Sequence, residues 1–115
     1  MPYKRGDVVL ALFPDSNLRT AKRRPVLVVQ AAALGTGLPQ TIVAMITSNV
    51  GRADHPSRVQ IARDSQQGIQ MGLLMDSLVA TDNLATIHAR QFNRVIGNLD
   101  NMSGVDAALR HTLGL

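Results

Sequence analysis

Residues 5–30 read RGDVVLALFPDSNLRTAKRRPVLVVQ, and the fold turns on how this stretch is parsed. Gly6 and Asp7 lead into an apolar run at 8–13, which Pro14, Asp15, Ser16 and Asn17 break. On an extended chain Val8, Leu10 and Leu12 share one face, and Val9, Ala11 and Phe13 share the other. A strand apolar on both faces is central in its sheet or covered on both sides. Pro25 opens a second such strand, at 25–30. Proline cannot donate to a ladder, so it belongs at a strand's first residue or on an edge, and it drives the residue before it towards extended geometry. Between the two runs, Arg19, Lys22, Arg23 and Arg24 set four cations within six residues. The stretch therefore reads as strand, long basic loop, strand, with Arg24 the last residue of the loop. A cation held at the threshold of a buried strand suits an anionic ligand. A surface loop that happens to be basic is the plainer alternative, and these residues leave both open.

Downstream, residues 31–40 form a connection with Gly35, Gly37 and Pro39 as turn formers. TIVAMITS at 41–48 is a third strand whose polar end, Thr47-Ser48-Asn49, enters a loop. Such a cluster is also what an ordinary strand-end turn contains. A loop follows at 51–57 with Arg52, Asp54, His55 and Pro56, then a short strand at 58–61 and an irregular stretch at 62–70 with room for one helical turn. MGLLMDSLV at 71–79 reads as a fifth strand interrupted by Asp76. A carboxylate in an apolar strand has to be paired or solvated; it either binds nearby donors or faces a functional cleft. Thr81-Asp82-Asn83 reads as a turn, 84–89 fits helix or strand, and 92–99 fits a strand. In that last strand Phe92, Arg94, Ile96 and Asn98 share one face. Asp100 looks like an N-cap, after which Met102, Val105, Leu109, Thr112 and Leu113 recur at helical spacing, with His111 in the last turn. Short strands joined by non-helical connections, closed by one helix, predict a mostly β fold, a small antiparallel barrel.

The 115 residues predict a single domain spanning 1–115, and 45% hydrophobic content supplies its core. Aromatics are limited to Tyr3, Phe13 and Phe92, too few for the stacking platforms of common RNA-binding modules. All eight acids are Asp, the net charge is +4 and the pI is near 10.7, which favours a nucleic-acid or acidic partner. The absence of Cys excludes disulfides and thiolate chemistry. His55, His88 and His111 stand apart, so no metal or other cofactor is expected. No apolar run is long enough to span a membrane, and the N-terminus lacks a signal-like apolar stretch; a soluble, cytoplasmic protein without membrane partners is expected.

GDVVLALFP, the basic linker, RRPVLVV, IVAMITS and the closing VDAALRHTLGL together are similar to the MazF/PemK toxin family of type II toxin–antitoxin systems. The resemblance covers nearly the whole chain and keeps the family's order and spacing. It implies an SH3-like barrel with a C-terminal helix, a homodimer, and metal-independent, sequence-specific cleavage of single-stranded RNA. It also implies an acidic, partly disordered antitoxin, with operator DNA bound only through the antitoxin complex. The family's catalytic Arg, before the proline of the second strand, falls on Arg24. The catalytic Thr falls on Thr47, with Ser48 adjacent; the acidic position falls on Asp76, and a Thr-Asp pair on Thr81 and Asp82. Arg19, Lys22 and Arg23 would follow the RNA backbone. Leu74 and Val79 stand where many members have Arg, and the first loop has neither His nor Glu.

Cleavage of this kind uses the RNA 2′-OH as nucleophile and leaves a 2′,3′-cyclic phosphate and a 5′-OH. A guanidinium suits the charge that develops, because its planar fork bonds two phosphate oxygens at once. Asp76 is the carboxylate assigned to the cleft, while the general base stays unassigned. Fold alone does not decide function. A non-catalytic barrel acting as a co-repressor with its antitoxin, or as a topoisomerase inhibitor, is the competing expectation.

Overall fold

The computed structural model describes residues 3–51 and 53–115. Arg52, assigned above to a loop, lies outside the described residues. The strands are β1 (Asp7–Pro14), β2 (Ala21–Val28), β3 (Gln40–Thr47), β4 (Arg58–Ile61), β5 (Ser77–His88) and β6 (Phe92–Asn98). Helix α1 (Gln66–Gln70) precedes β5, a 3-10 turn at Ala89–Gln91 links β5 to β6, and α2 (Ser103–Leu113) follows β6. All pairings are antiparallel, in the order β4-β5-β3-β2-β1-β6.

The two apolar faces of β1 and β2 are both covered. On one side Val8, Leu27, Ala44, Ile46, Val79 and Leu99 pack with Val105 of α2, joined by Met102 and Leu109. On the other, Val9, Phe13, Val26, Val28, Val43 and Phe92 form a second cluster, with the Tyr3 ring 4.6 Å from that of Phe92. The ladder does not close between β4 and β6, but β6 meets the segment after α1 at backbone distance. A Cβ on Gly97 would fall 2.4 Å from the Gln70 carbonyl oxygen, and one on Gly72 would fall 2.3 Å from that of Ile96. Gly72 also has φ +74°, a left-handed conformation that glycine adopts without strain. Gln70 reinforces the seam by donating to the Asn98 side chain at 3.0 Å. The fold is thus barrel-like, with one seam made by glycine contacts instead of ladder hydrogen bonds.

Several boundaries differ from expectation. β2 starts at Ala21, not Pro25, because β1 pairs with it down to Pro14 opposite Ala21. The basic residues 22–24 are therefore strand residues, and the loop shrinks to 15–20. Pro25 leaves its mark on the other flank, where the β2–β3 ladder covers only residues 26–28 of β2. Residues 71–76 are not strand: Met71 caps α1, Gly72 turns the chain, and β5 begins at Ser77. Thr81-Asp82-Asn83 is not a turn but a bulge within β5, whose pairing jumps from Leu84 opposite Ala44 to Ala80 opposite Met45. Asp100 does not cap α2; Met102 occupies that place without a side-chain hydrogen bond, and Asp100 accepts from Gln70. Irregularities in the β1–β6 pairing also break the simple alternation of β6. Phe92 joins the Tyr3 cluster, while Ile96 packs against the cluster that contains Val105.

Candidate active site

The basic cluster rides on a well-tied hairpin. Lys22, Arg23 and Arg24 stand opposite Phe13, Leu12 and Ala11 of β1. The Asp15 N–H donates to the Thr20 carbonyl at 2.9 Å, and the Thr20 hydroxyl donates to the Asp15 carboxylate at 2.6 Å. The Asn17 side-chain oxygen accepts from the N–H groups of Arg19 and Thr20 at 2.9 and 3.2 Å. These bonds hold Leu18 at φ 61°, a conformation uncommon outside glycine.

Strand alternation sends neighbouring cations to different faces. Lys22 lines a cavity of about 510 Å³ with Asp15, Asn17, Met45 and Asn83. Arg23 lines a larger cavity, about 680 Å³, with an apolar floor of Leu10, Ile46, Leu73 and Ile96. Arg24 borders both, so it forms their common wall. Its side chain is 31% exposed, and Nη2 lies 3.6 Å from Asp15 Oδ1, an ion pair too long to be a hydrogen bond. The Thr20 hydrogen bond holds the Asp15 carboxyl below its usual range; Lys22 and Arg24 add to this, and partial desolvation opposes it.

Thr47 ends β3. Val26 pairs with Met45, where the β2–β3 ladder ends; the same count carried on would set Arg24 against Thr47, but no pairing joins the two residues and Thr47 lines neither cavity. Both belong by alternation to the face of Val26 and Val43. Among the described residues no hydrogen bond joins the two side chains; Thr47 Oγ1 accepts from the Asn49 N–H at 3.1 Å. Ser48 is exposed and lines the larger cavity with Arg24.

The chain is similar to known proteins along nearly its whole length. Residues 4–113 match the family described as PemK-like, MazF-like toxin of type II toxin-antitoxin system. The chain belongs to this family. It is 35% identical over 118 residues to "Endoribonuclease EndoA" of Bacillus subtilis (strain 168), covering 100% of this chain and 97% of that protein. Its fold matches "Mycobacterium tuberculosis toxin MazF-mt6" with TM-score 0.74 and 24% identity, covering 95% of this chain and 97% of that one. A mycobacterial endoribonuclease solved in complex with its cognate antitoxin matches with TM-score 0.73 and 20% identity, covering 98% and 96%.

Within this PemK/MazF-like fold the remaining assigned residues separate. Asp76 lies in the exposed turn before β5, not inside an apolar strand, and its carboxylate accepts from the Arg63 N–H at 2.9 Å. It lines neither cavity, although Met75 and Ser77 on either side line the larger one. Arg19 is exposed in the hairpin loop. The Thr-Asp pair is architectural: buried Thr81 donates to the Ser57 carbonyl at 2.6 Å and meets the Thr112 hydroxyl of α2 at 2.8 Å. Asp82 takes a two-pronged bond from Arg58 at 2.9 and 3.1 Å, which holds its carboxyl below the usual range. Val79 is fully buried, so this position has no room for the Arg that many members carry.

Two residues at the site escaped the sequence pattern. Arg94, opposite Leu10, lines the larger cavity with Arg23 and Arg24. It supplies a third guanidinium to a wall where Leu74, 86% exposed, takes the place of the family's more frequent Arg. Asp15 stood in plain sight as one of the residues that break β1. Only closure of the hairpin brings it to Arg24.

Proposed function

We propose that the chain is the toxin of a toxin–antitoxin pair and acts as a metal-independent, sequence-specific endoribonuclease on single-stranded RNA. One observation carries this: Arg24 is the shared wall of two cavities, so a phosphodiester gripped there has space on both sides for the flanking nucleotides. Arg24 donates to the non-bridging oxygens as the 2′-oxygen attacks phosphorus. The 2′-OH gives its proton to solvent water as the O2′–P bond forms, and Arg24 gives one to the 5′-oxygen as the P–O5′ bond breaks, then regains one from solvent. Each preorganised donor of this kind is worth about 3 kcal/mol of barrier. The Thr47 hydroxyl, at the end of β3, is the second donor, and Ser48, which lines the larger cavity with Arg24, supports the same end of the strand. Arg19, Lys22, Arg23 and Arg94 attract and track the RNA backbone. Asp76 shapes the turn that carries Leu74 and Met75, and supports the site from outside.

The partners follow from the same surface. Leu74, Met75 and Val95 expose apolar side chains next to the guanidinium groups of the larger cavity. An acidic antitoxin segment with alternating apolar residues complements that mixture, and a second copy of the chain completes a homodimer. Incubation of the purified protein with a mixed-sequence RNA transcript in EDTA tests the activity. Discrete fragments with 2′,3′-cyclic phosphate ends are expected. Intact RNA would favour a barrel that acts by binding alone.

A further inference from the structure

We infer that Asp15 is a positioning residue of the nuclease site: its carboxylate fixes one edge of the Arg24 guanidinium and leaves the other donors turned to the phosphodiester. The inference rests on the proposed nuclease activity and adds a residue to it. Three observations carry it. The Arg24 Nη2 to Asp15 Oδ1 contact, at 3.6 Å, is the one ion pair of Arg24 among the described residues, and it engages a single terminal nitrogen. Asp15 is itself held at 2.6 Å by the Thr20 hydroxyl and by the backbone bond that closes the hairpin. Its side chain is only 18% exposed, although it sits in a surface loop. The arginine is thereby paired by charge with a hydrogen-bonded turn, and at 3.6 Å none of its five N–H donors is spent on the carboxylate.

The alternative task for this carboxylate, taking the proton from the 2′-OH, fits it poorly. A carboxyl held below its usual range is a weak base, and efficient proton transfer wants a value near the working pH. Asp76 does not compete for the positioning task, because it lines neither cavity that Arg24 borders and forms no ion pair with Arg24 among the described residues.

The test uses Asp15→Asn, which keeps the shape and can still accept from Thr20 but loses the charge. Cleavage is measured on a single-stranded RNA oligonucleotide containing a site mapped in the transcript pool. A fall in kcat of about tenfold to a hundredfold with KM little changed is expected, the scale of a small misplacement of a catalytic group. Asp15→Glu should recover part of the loss, and Thr20→Val should show an intermediate loss. A purely structural loop residue would lower Tm and leave kcat in place. In parallel, the Arg24 Nη–H resonances, identified by their absence in Arg24→Lys, should be resolved in the parent protein and averaged in Asp15→Asn. An Asn variant with undiminished or raised kcat overturns the inference and marks Asp15 as idle or obstructive. If the parent protein cleaves no RNA, the nuclease assignment fails on its own. The resonance comparison then decides the pairing, and identical Arg24 signals in the two proteins overturn it.

Discussion

Two Arg–Asp pairs in this molecule use the same chemistry to different ends. Arg58 of β4 grips Asp82 of β5 with two hydrogen bonds, at 2.9 and 3.1 Å, beside the Thr81–Thr112 contact that fastens α2 to the sheet. Arg24 of β2 touches Asp15 through one nitrogen at 3.6 Å and borders two cavities. The first guanidinium turns its Nε–Nη2 edge to a protein carboxylate, which holds it in place and neutralises its charge. The second is oriented but not saturated. A loosely paired arginine next to open volume is the better candidate for binding an anion, and one bonded edge-on to a carboxylate is the better structural strut.

Exchanging each arginine for alanine gives the largest contrast. Arg24→Ala should lower RNA cleavage by about a hundredfold to a thousandfold, since it removes a preorganised donor, while circular dichroism and Tm stay close to the parent. Arg58→Ala should leave cleavage in place and cost no more than about 1 kcal/mol of stability in denaturant unfolding. Cleavage by a folded Arg24→Ala protein at the parent rate would remove the distinction, as would loss of cleavage in a folded Arg58→Ala protein.

Smaller effects should separate the cations that line the larger cavity from the one that divides the two. Arg23→Ala and Arg94→Ala each take away one cation that can neutralise a phosphate, without touching Arg24. Binding of a non-cleavable 2′-deoxy oligonucleotide should weaken. The slope of log affinity against log salt should become shallower by about 0.7 for each single-strand phosphate that is no longer neutralised. An unchanged salt slope in Arg94→Ala would take β6 out of the RNA path and leave the site to the β1–β2 hairpin and β3.

The same contrast explains how far the sequence can be read. β1, β3, β4 and α2 lie close to where periodicity sets them, because each carries its own apolar pattern. β2 and β5 do not, since their limits depend on partners. Alanine, lysine and arginine at 21–24 form strand because β1 is long enough to pair with them. Thr81–Asn83 remain in strand because β3 resumes pairing beyond them. Arg24 was visible through the proline that follows it, and the fold puts it in β2 between the two cavities. Asp15 and Arg94 were not visible as site residues. One arrives by hairpin closure and the other lies on a strand whose pairing with β1 is irregular, and neither event leaves a local mark in the chain. Asp76, read as a strand carboxylate, is claimed by the Arg63 backbone because Gly72 turns the chain before β5 starts.

The smallest effect concerns the strut itself. The Arg58 fork holds the Asp82 carboxyl below the ordinary aspartate value of 3.8, so its folded-state pKa lies under its unfolded one. A depressed carboxylate contributes stability that is fully present above the unfolded pKa and is lost as pH falls through the folded one. The contribution should therefore begin to fade below about pH 4 and be gone only below the lower, folded-state value. With 40% of the Asp82 side chain exposed, solvent and salt screen the pair, and a contribution of a few tenths of a kcal/mol is expected. Asp82→Asn should accordingly flatten part of the acid limb of a Tm-versus-pH curve, leave Tm near neutral pH slightly lower, and make stability less sensitive to salt. Cleavage should not change, because Asp82 reaches neither cavity. An acid limb identical to the parent's would show that the two-pronged bond contributes nothing measurable. The difference between the two arginines would then lie only in what surrounds them, open volume at Arg24 and packed strands at Arg58, and not in how tightly each is paired.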